Sequence, residues 1–150
     1  SRGSLKMSQG PEANFWNTIR KQLPQNCYAW RIENRVTAGM PDVYMIWDGV
    51  PLWIEMKTTS SNRVNLSPQQ VAWHTSHSHV GGFSAILVKR TSDRCLFLFE
   101  GRGARSVASE GLCSGAIFSG TSVLEALDAV RGACLEHLAG VLRPCGPAPS

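Results

Sequence analysis

The sequence lacks the cysteine spacing and the long hydrophobic segments that would place it in several common classes. Its five cysteines include no C-x-x-C pair, so structural zinc has little support, and their odd number argues against a disulfide framework. No apolar run approaches the ~20 residues that a membrane-spanning helix requires. No secretory signal is present either. We therefore expect a cytoplasmic protein with reduced thiols and no membrane partner.

Length and charge predict a single domain that is compatible with a nucleic-acid partner. A chain of 150 residues can bury one core, and it shows no internal repeat. A net charge of +4 permits nucleic-acid binding, but a solvated surface with surplus lysine and arginine explains it equally well. Residues 1–6 resemble the remainder of an expression tag, so we expect the domain to span residues 7–142 and residues 143–150 to form a flexible tail.

The most informative stretch is residues 39–57, which reads G-M-P-D-V-Y-M-I-W-D-G-V-P-L-W-I-E-M-K. Two apolar runs rich in β-branched and aromatic residues, Val43–Trp47 and residues 51–54, flank Asp48 and Gly49. An Asp-Gly pair between such runs is one of the strongest short-range hairpin signals. The stretch therefore predicts two antiparallel strands joined by a tight turn.

Three ionisable side chains occupy the ends of these two strands. Asp42 opens the first strand, whereas Glu55 and Lys57 close the second and share one of its faces, ~6.6–6.8 Å apart. An antiparallel return places the start of one strand beside the end of the next, so all three should converge at one end of the sheet. Two carboxylates there are costly without compensation, and Mg²⁺ prefers carboxylate and carbonyl oxygens. The pattern therefore predicts a magnesium site.

The order P-D, a spacer of twelve residues and E-M-K resembles the signature of the PD-(D/E)XK nuclease superfamily. Gly39 and the later L-S-P-Q-Q-V-A-W-H, residues 66–74, resemble the VRR-NUC and Holliday-junction-resolvase-like branch, which is common in phages and other mobile DNA. The resemblance extends over residues 12–99. It implies an α/β fold with a restriction-endonuclease-like core, in which a central mixed sheet is flanked by helices.

The resemblance implies a Mg²⁺-dependent DNA endonuclease, with Mn²⁺ able to substitute, that cuts branched DNA such as a Holliday junction or a flap. Such a protein would serve DNA recombination or repair in a bacterial or phage-infected cytoplasm. Asp42, Glu55 and the Met56 carbonyl would hold the metal, and Lys57 would position or deprotonate the attacking water or balance the transition-state charge. Resolution of a junction needs two matched incisions, which a homodimer with two-fold symmetry would provide geometrically. An exonuclease, a nickase or a restriction-type enzyme of the same fold remains an alternative, as does a non-catalytic DNA-binding module.

Two further polar residues have both a structural and a functional interpretation. Residues 11–23 predict a helix, and Glu12 in its first turn suits the helix dipole. Ser67 caps a second predicted helix, with Gln70 one turn in. The resemblance implies that Glu12, as a further metal ligand, and Gln70 both face the metal site. Both residues are equally ordinary near a helix start.

Four basic residues are candidates for DNA contacts. Arg35 adjoins the metal-binding loop, Arg63 lies in the polar loop after the hairpin, and Lys89 and Arg90 lie at the end of a predicted strand. The alternatives are surface ion pairs worth under ~1 kcal/mol, a solvated loop and an ordinary strand end.

The remaining elements follow from local patterns. We expect strands over residues 27–34, 83–89 and 96–99, and a long loop over residues 101–120 with one short strand at 115–118. A final helix over residues 122–142, capped by Thr121, carries an apolar stripe that predicts core packing or, as a second interpretation, a dimer seam. His74 and His77 could share a metal, but a third convincing ligand is missing, so we favour a polar helix end.

Overall fold

The computed structural model describes residues 10–33 and 37–142, which form a six-stranded sheet flanked by helices. In chain order the elements are α1 (Pro11–Arg20), β1 (Cys27–Arg31), β2 (Val43–Trp47), β3 (Val50–Thr59), α2 (Pro68–His79), β4 (Ser84–Arg90), β5 (Cys95–Glu100), α3 (Ala104–Glu110), β6 (Phe118–Gly120) and α4 (Val123–Val141).

The six strands lie in the sheet in their chain order. Neighbouring strands are antiparallel except β3 and β4, which are parallel. A parallel pair needs a crossover connection, and α2 supplies it. The predicted α/β class, with a central mixed sheet flanked by helices, is confirmed.

The β2–β3 hairpin forms where the sequence predicts it. Asp48 and Gly49 have φ angles of 52° and 79°, the two left-handed conformations that a type I′ turn requires. Arg131 of α4 holds the turn in place, because its Nη2 lies 2.8 Å from Asp48 Oδ2. The tight turn fixes the register in which Val43 faces Ile54, and this register decides which polar side chains meet beyond the ladder.

The two faces of the sheet are covered differently. One face packs against α1 and α4 in the larger core, whose most deeply buried side chains include Phe15, Met45, Leu52 and Leu127. The other face packs against α3 and the loop after β3 in a smaller cluster: Val64, Leu66, Ile86, Val88, Phe99, Ala104, Val107 and Leu112. Period-2 alternation of apolar residues along β2 and β3 assigns their alternate side chains to these two faces.

Residues 101–120 differ from the predicted loop. They contain α3, and the short strand β6 lies later than the predicted strand at residues 115–118. Only Ala104 and Val107 of α3 are buried, so the segment has too few apolar residues to show a helical period. Tertiary packing rather than local propensity stabilises such a short helix.

The final helix begins one residue later than predicted. Its cap is Ser122, whose Oγ accepts a hydrogen bond from the Glu125 backbone N–H at 3.2 Å, so the assignment to Thr121 was wrong. Leu127 and Val130 are buried in the same core as the sheet. The buried part of the apolar stripe therefore belongs to the core of this chain, and its interpretation as a dimer seam stays a prediction.

Two elements end earlier than predicted. The first helix ends at Arg20 rather than residue 23, and β1 ends at Arg31 rather than residue 34, which lies outside the described residues. Pro24 explains the first difference, because the residue before a proline avoids the helical conformation.

The thiols and the helices of the described ranges agree with a protein that has neither disulfides nor a membrane-spanning helix there. Cys27, Cys95, Cys113 and Cys134 are free thiols, as the sequence predicts. Within the same ranges, no helix combines the length and the apolar character needed to cross a membrane.

Candidate functional site

The hairpin register brings Asp42 and Glu55 side by side. Val43 and Ile54 form the last pair of the β2–β3 ladder, so the next positions outward are Asp42 and Glu55. Both side chains are buried, with Asp42 6% exposed and Glu55 2% exposed. Two buried carboxylates at neighbouring positions need hydrogen-bond donors or a cation beside them.

Asp42 takes the place of a neighbouring strand along the second half of β3. Beyond Ile54, β3 pairs with β4 on one side, whereas β2 has already ended on the other. On that open side, the Met56 backbone N–H donates to Asp42 Oδ1 at 2.9 Å. The N–H and C=O of one residue point to the same side of an extended strand, so the Met56 carbonyl faces the same edge as Asp42.

Glu12 covers the next position along this edge. The Thr58 backbone N–H donates to Glu12 Oε2 over 3.4 Å, a long bond. Thr58 follows Met56 by two residues, so this contact lies about 7 Å farther along β3. In the described part of the chain, no three His, Cys, Asp or Glu side chains converge closely enough to hold a metal. The site therefore contains two adjacent carboxylates with Glu12 at its margin, and the ligand role of Glu12 stays a prediction.

Lys57 lies on the same face of β3 as Glu55 and is half-buried. Its ammonium is close enough to α2 to contribute to the lowered pKa of His74. A positive charge two residues from Glu55 offsets part of the negative charge of the two carboxylates. The register and the strand alternation thus place Asp42, Glu55 and Lys57 at one end of the hairpin, and their joint role as a metal site stays a prediction.

Gln70 links the start of α2 to the carboxylate pair. Its Oε1 accepts from the Ser67 N–H at 2.9 Å, and its backbone N–H donates to Ser67 Oγ at 3.1 Å, which completes a capping box. Its Nε2 donates to Glu55 Oε2 at 3.3 Å. One amide group therefore makes both the capping contact and the contact with Glu55, and the functional role of Gln70 stays a prediction.

Gly39 holds the loop before Asp42 against α2. Its φ is +82°, and a Cβ at this position would overlap the peptide group between Gln69 and Gln70. Only glycine combines this conformation with so close an approach. The contact fixes Gln70 relative to Asp42, which gives a physical reason for the glycine in the G-x-P-D stretch.

His74 is a buried polar residue on α2, one turn after Gln70. Its Nδ1 lies 2.7 Å from Ser84 Oγ, and its side chain is fully buried. Burial, with smaller contributions from His77 and Lys57, lowers the pKa of His74 to about 4, so the ring is neutral at neutral pH. Among the described residues, no third side chain joins His74 and His77 to form a zinc site.

The predicted DNA-contacting residues lie in different surroundings. Arg63 is exposed in the loop after β3 and lines a cleft beside Thr58. Lys89 lies on the face opposite Glu55, with its Nζ 5.9 Å from the ring centroid of Phe15. Arg35 lies outside the described residues. The DNA contacts of all three stay predictions.

Arg90 is engaged within the chain. Its Nε and Nη2 donate to the Asp93 carboxylate at 3.1 and 2.8 Å, and its Nη1 donates to Asn62 Oδ1 at 2.8 Å. Its guanidinium also lies 5.0 Å from the ring centroid of Phe97. These contacts tie the loop after β3 to the β4–β5 turn, so Arg90 is a structural anchor, and its DNA contact stays a prediction.

A feature that the sequence analysis missed lies on the same face as Glu55. We call it the aromatic row: Tyr28, Trp30, Tyr44, Trp53 and Trp73. Trp30, Tyr44 and Trp53 are cross-strand neighbours in β1, β2 and β3. The alternation of aromatic residues within each strand contained part of the signal, but the register that aligns the three strands did not follow from the sequence.

Comparisons with known proteins give a match among solved structures. No protein-family model matches the sequence, and no similar sequence was found among curated proteins. Among solved structures, Hjc of Archaeoglobus fulgidus, a Holliday junction resolvase from an archaeal hyperthermophile, matches with 18% sequence identity and a TM-score of 0.45. The match covers 61% of this chain and 74% of that chain. A similarity of this extent assigns no activity, so a functional proposal has to rest on the side chains of the site.

Proposed function

We propose that this protein is a divalent-metal-dependent DNA endonuclease with a restriction-endonuclease-like core. The observation that carries the proposal is the pair of buried carboxylates, Asp42 and Glu55, that the β2–β3 register places side by side with Lys57 on the same face. The net charge of +4 suits a polyanionic substrate.

The donor set fits a hard divalent cation. Asp42 and Glu55 offer carboxylate oxygens and Met56 offers a carbonyl oxygen, the ligand types that Mg²⁺ and Mn²⁺ take in proteins. A cation there would also offset the charge of two acids that are almost entirely buried. When bound, such a cation supplies polarisation of the phosphoryl oxygen and acidification of water.

The residues of the chain would hold and orient the reacting groups. The Met56 N–H fixes the Asp42 carboxylate, and Gln70 Nε2 fixes the Glu55 carboxylate, so both acids are oriented before substrate arrives. Lys57 provides a positive charge on the same face, suited to hold the attacking water or to balance the charge that develops on the scissile phosphate.

Branched DNA is the substrate class that we propose, with a Holliday junction or a flap as the first candidates. Resolution of a junction requires two matched incisions, which a two-fold dimer provides geometrically. Membership of the VRR-NUC branch, a phage origin and a cytoplasmic location stay predictions that rest on the sequence resemblance.

The decisive experiment compares Asp42→Asn with Asp42→Ala. Four-way junctions, flaps and linear duplex are incubated with wild type and both variants in Mg²⁺, Mn²⁺ or EDTA. We expect wild type to cut branched DNA only with metal, and Asp42→Asn to lose at least ~100-fold in rate because a charged ligand is gone. Asparagine can still accept from the Met56 N–H, so Asp42→Asn should retain stability, whereas Asp42→Ala should lose about 1–3 kcal/mol as well.

Two outcomes would redirect the proposal. Equal cleavage by Asp42→Asn and wild type would show that Asp42 is not a metal ligand. Binding of DNA without cleavage in either metal would favour the non-catalytic module. End-labelled and circular substrates separate an endonuclease from an exonuclease or a nickase of the same fold.

A further inference from the structure

The aromatic row crosses the sheet directly beside the candidate active site. Consecutive ring centroids lie 4.7 Å apart for Tyr28 and Trp30, 5.3 Å for Trp30 and Tyr44, 4.8 Å for Tyr44 and Trp53, and 6.0 Å for Trp53 and Trp73. The rings meet at steep or tilted angles, from 54° to 83°, so each braces its neighbour. The row is therefore a preformed surface rather than a set of independent side chains.

The row is continuous with the carboxylate pair. Trp53 precedes Glu55 by two residues, so it lies on the same face about 7 Å away. Tyr44 faces Trp53 in the ladder and follows Asp42 by two residues, so it lies on the same face as Asp42, also about 7 Å away. A DNA strand that ran from a scissile phosphate at Asp42 and Glu55 toward β1 would place its nucleotides over these rings.

Exposure increases along the row with distance from the site. Trp53 and Tyr44 are half-buried, Trp30 is 44% exposed, and Tyr28 at the far end is 69% exposed. Fully buried aromatic side chains bury roughly 150–250 Å² each, so Trp30 and Tyr28 together leave about 250 Å² uncovered. A stable two-fold interface needs about 800 Å² from each partner, so a second copy of the chain would gain little from this surface alone.

The charge around the row favours bases as the occupant. Lys57 and Arg63 lie at the active-site end, whereas α2, which borders the row through Trp73, contains no lysine or arginine. Proteins that hold single-stranded nucleic acid combine cations for the phosphates with aromatic side chains on which the bases stack. In this protein Lys57 and Arg63 lie near the proposed cleavage position, and the rings of the aromatic row lie beyond it.

We propose that the aromatic row stacks unpaired bases of the DNA strand next to the scissile phosphate. This inference rests on the nuclease function proposed above and narrows its substrate to branched DNA with unpaired nucleotides at the branch. Trp30 and Tyr28 are the two positions whose rings are open enough to receive a base without rearrangement of the fold.

The test measures DNA binding in EDTA, where cleavage does not interfere. Tyr28→Ala and Trp30→Ala are compared with wild type on a branched duplex that carries an unpaired arm and on the same duplex without the arm. Leu124→Ala serves as the control, because Leu124 is 52% exposed on α4, against the opposite face of the sheet. A 2-aminopurine in the arm, next to the branch, reports stacking through its fluorescence.

We expect each variant of the row to weaken binding of the armed DNA by about 5- to 150-fold, the range measured for loss of one base–aromatic stack. Binding of the arm-free duplex should stay unchanged, Leu124→Ala should bind both like wild type, and Trp30→Phe should restore most of the affinity. Stacking should quench the 2-aminopurine in wild type and in Trp30→Phe but not in Trp30→Ala.

Three results would overturn the inference. One is equal loss on both DNAs, and another is no loss on either. The third is a change from dimer to monomer in the row variants by sedimentation, without a change in arm preference, which would assign the row to a second copy. Failure of the nuclease function is seen separately, as absence of wild-type cleavage in Mg²⁺ and Mn²⁺ while arm binding persists.

Discussion

The two halves of β3 differ in what lies along their outer edge. Residues 50–54 pair with β2, backbone against backbone. Residues 55–59 have β4 on one side, but on the other side the N–H groups of Met56 and Thr58 meet the carboxylates of Asp42 and Glu12. One strand thus changes from a strand-paired edge to an edge covered by acidic side chains.

This difference shows how the fold creates a polar site beside an apolar core. Where β2 covers the edge, β3 directs Leu52 and Ile54 into the larger core. Where β2 ends, the unpaired N–H groups of an exposed edge would invite another strand, and carboxylates satisfy them instead. Asp42 and Glu12 therefore satisfy the backbone of this edge, and Asp42 is also a ligand of the cation that we propose.

The largest expected effect is that mutations in the first half of β3 lower stability, whereas mutations in the second half lower cleavage activity. Leu52 is fully buried in the strand-paired half, so Leu52→Ala should lower the free energy of unfolding by about 2–5 kcal/mol. Cleavage per folded molecule should stay close to wild type, because the site lies beyond Ile54. Urea unfolding followed by tryptophan fluorescence measures stability, and cleavage at low temperature measures activity.

Glu55→Gln is the matched variant in the second half of β3 and should lose cleavage with little loss of stability. A fall in activity of Leu52→Ala beyond its unfolded fraction would contradict the separation.

The next largest effect is a pH dependence of the unfolding free energy, and it arises from His74 of α2, near the second half of β3. Burial lowers the pKa of His74 from its ordinary 6.5 to about 4 in the folded chain, so the unfolded chain binds the proton first as the pH falls. Stability should therefore be complete above pH 6.5 and decline between pH 6.5 and about 4, by about 3 kcal/mol for this group. The lowered pKa of His77, caused by burial and by His137, acts in the same direction.

The measurement compares wild type with His74→Gln and His77→Gln by urea unfolding at several pH values between 4 and 7.5. His74→Gln should flatten the profile most, although it should be less stable than wild type at pH 7.5. His77→Gln provides the comparison with a less buried ring. An unchanged slope in His74→Gln would mean that the ring is not held neutral by burial.

The relative positions of the candidate site residues could be predicted because the sequence information that sets them is local. Asp48 and Gly49 define a two-residue turn, and the alternation of apolar residues on both sides fixes the register. Once the register is set, the positions of Asp42, Glu55 and Lys57 relative to each other follow from strand geometry alone. The boundaries of β3 did not follow, because Thr58 and Thr59 are polar and join the strand only through pairing with β4.

The features that the sequence did not predict depend on distant partners. The role of Arg90 requires Asn62, which is 28 residues away in the chain, and the aromatic row requires three strands in register. Gly39 contacts the peptide group after Gln69, a contact visible only after α2 has been placed. In each case the local pattern is ordinary, and the fold supplies the second half of the interaction.

The smallest expected effect is the loss of stability when Glu12, at the margin of the candidate site, is replaced. Its bond from the Thr58 N–H is long, so Glu12→Ala should cost only about 0.5–1 kcal/mol in unfolding free energy. Glu12→Gln keeps an oxygen acceptor for that N–H and should be as stable as wild type, but it removes the charge. If Glu12 is also a ligand of the cation, Glu12→Gln should raise the Mg²⁺ concentration needed for half-maximal cleavage. Urea unfolding measures the effect on stability, and a Mg²⁺ titration of cleavage measures the effect on metal binding. A stable Glu12→Ala would show that this carboxylate does not replace β2 at Thr58, and the acid-covered edge of β3 would then reduce to Asp42 alone.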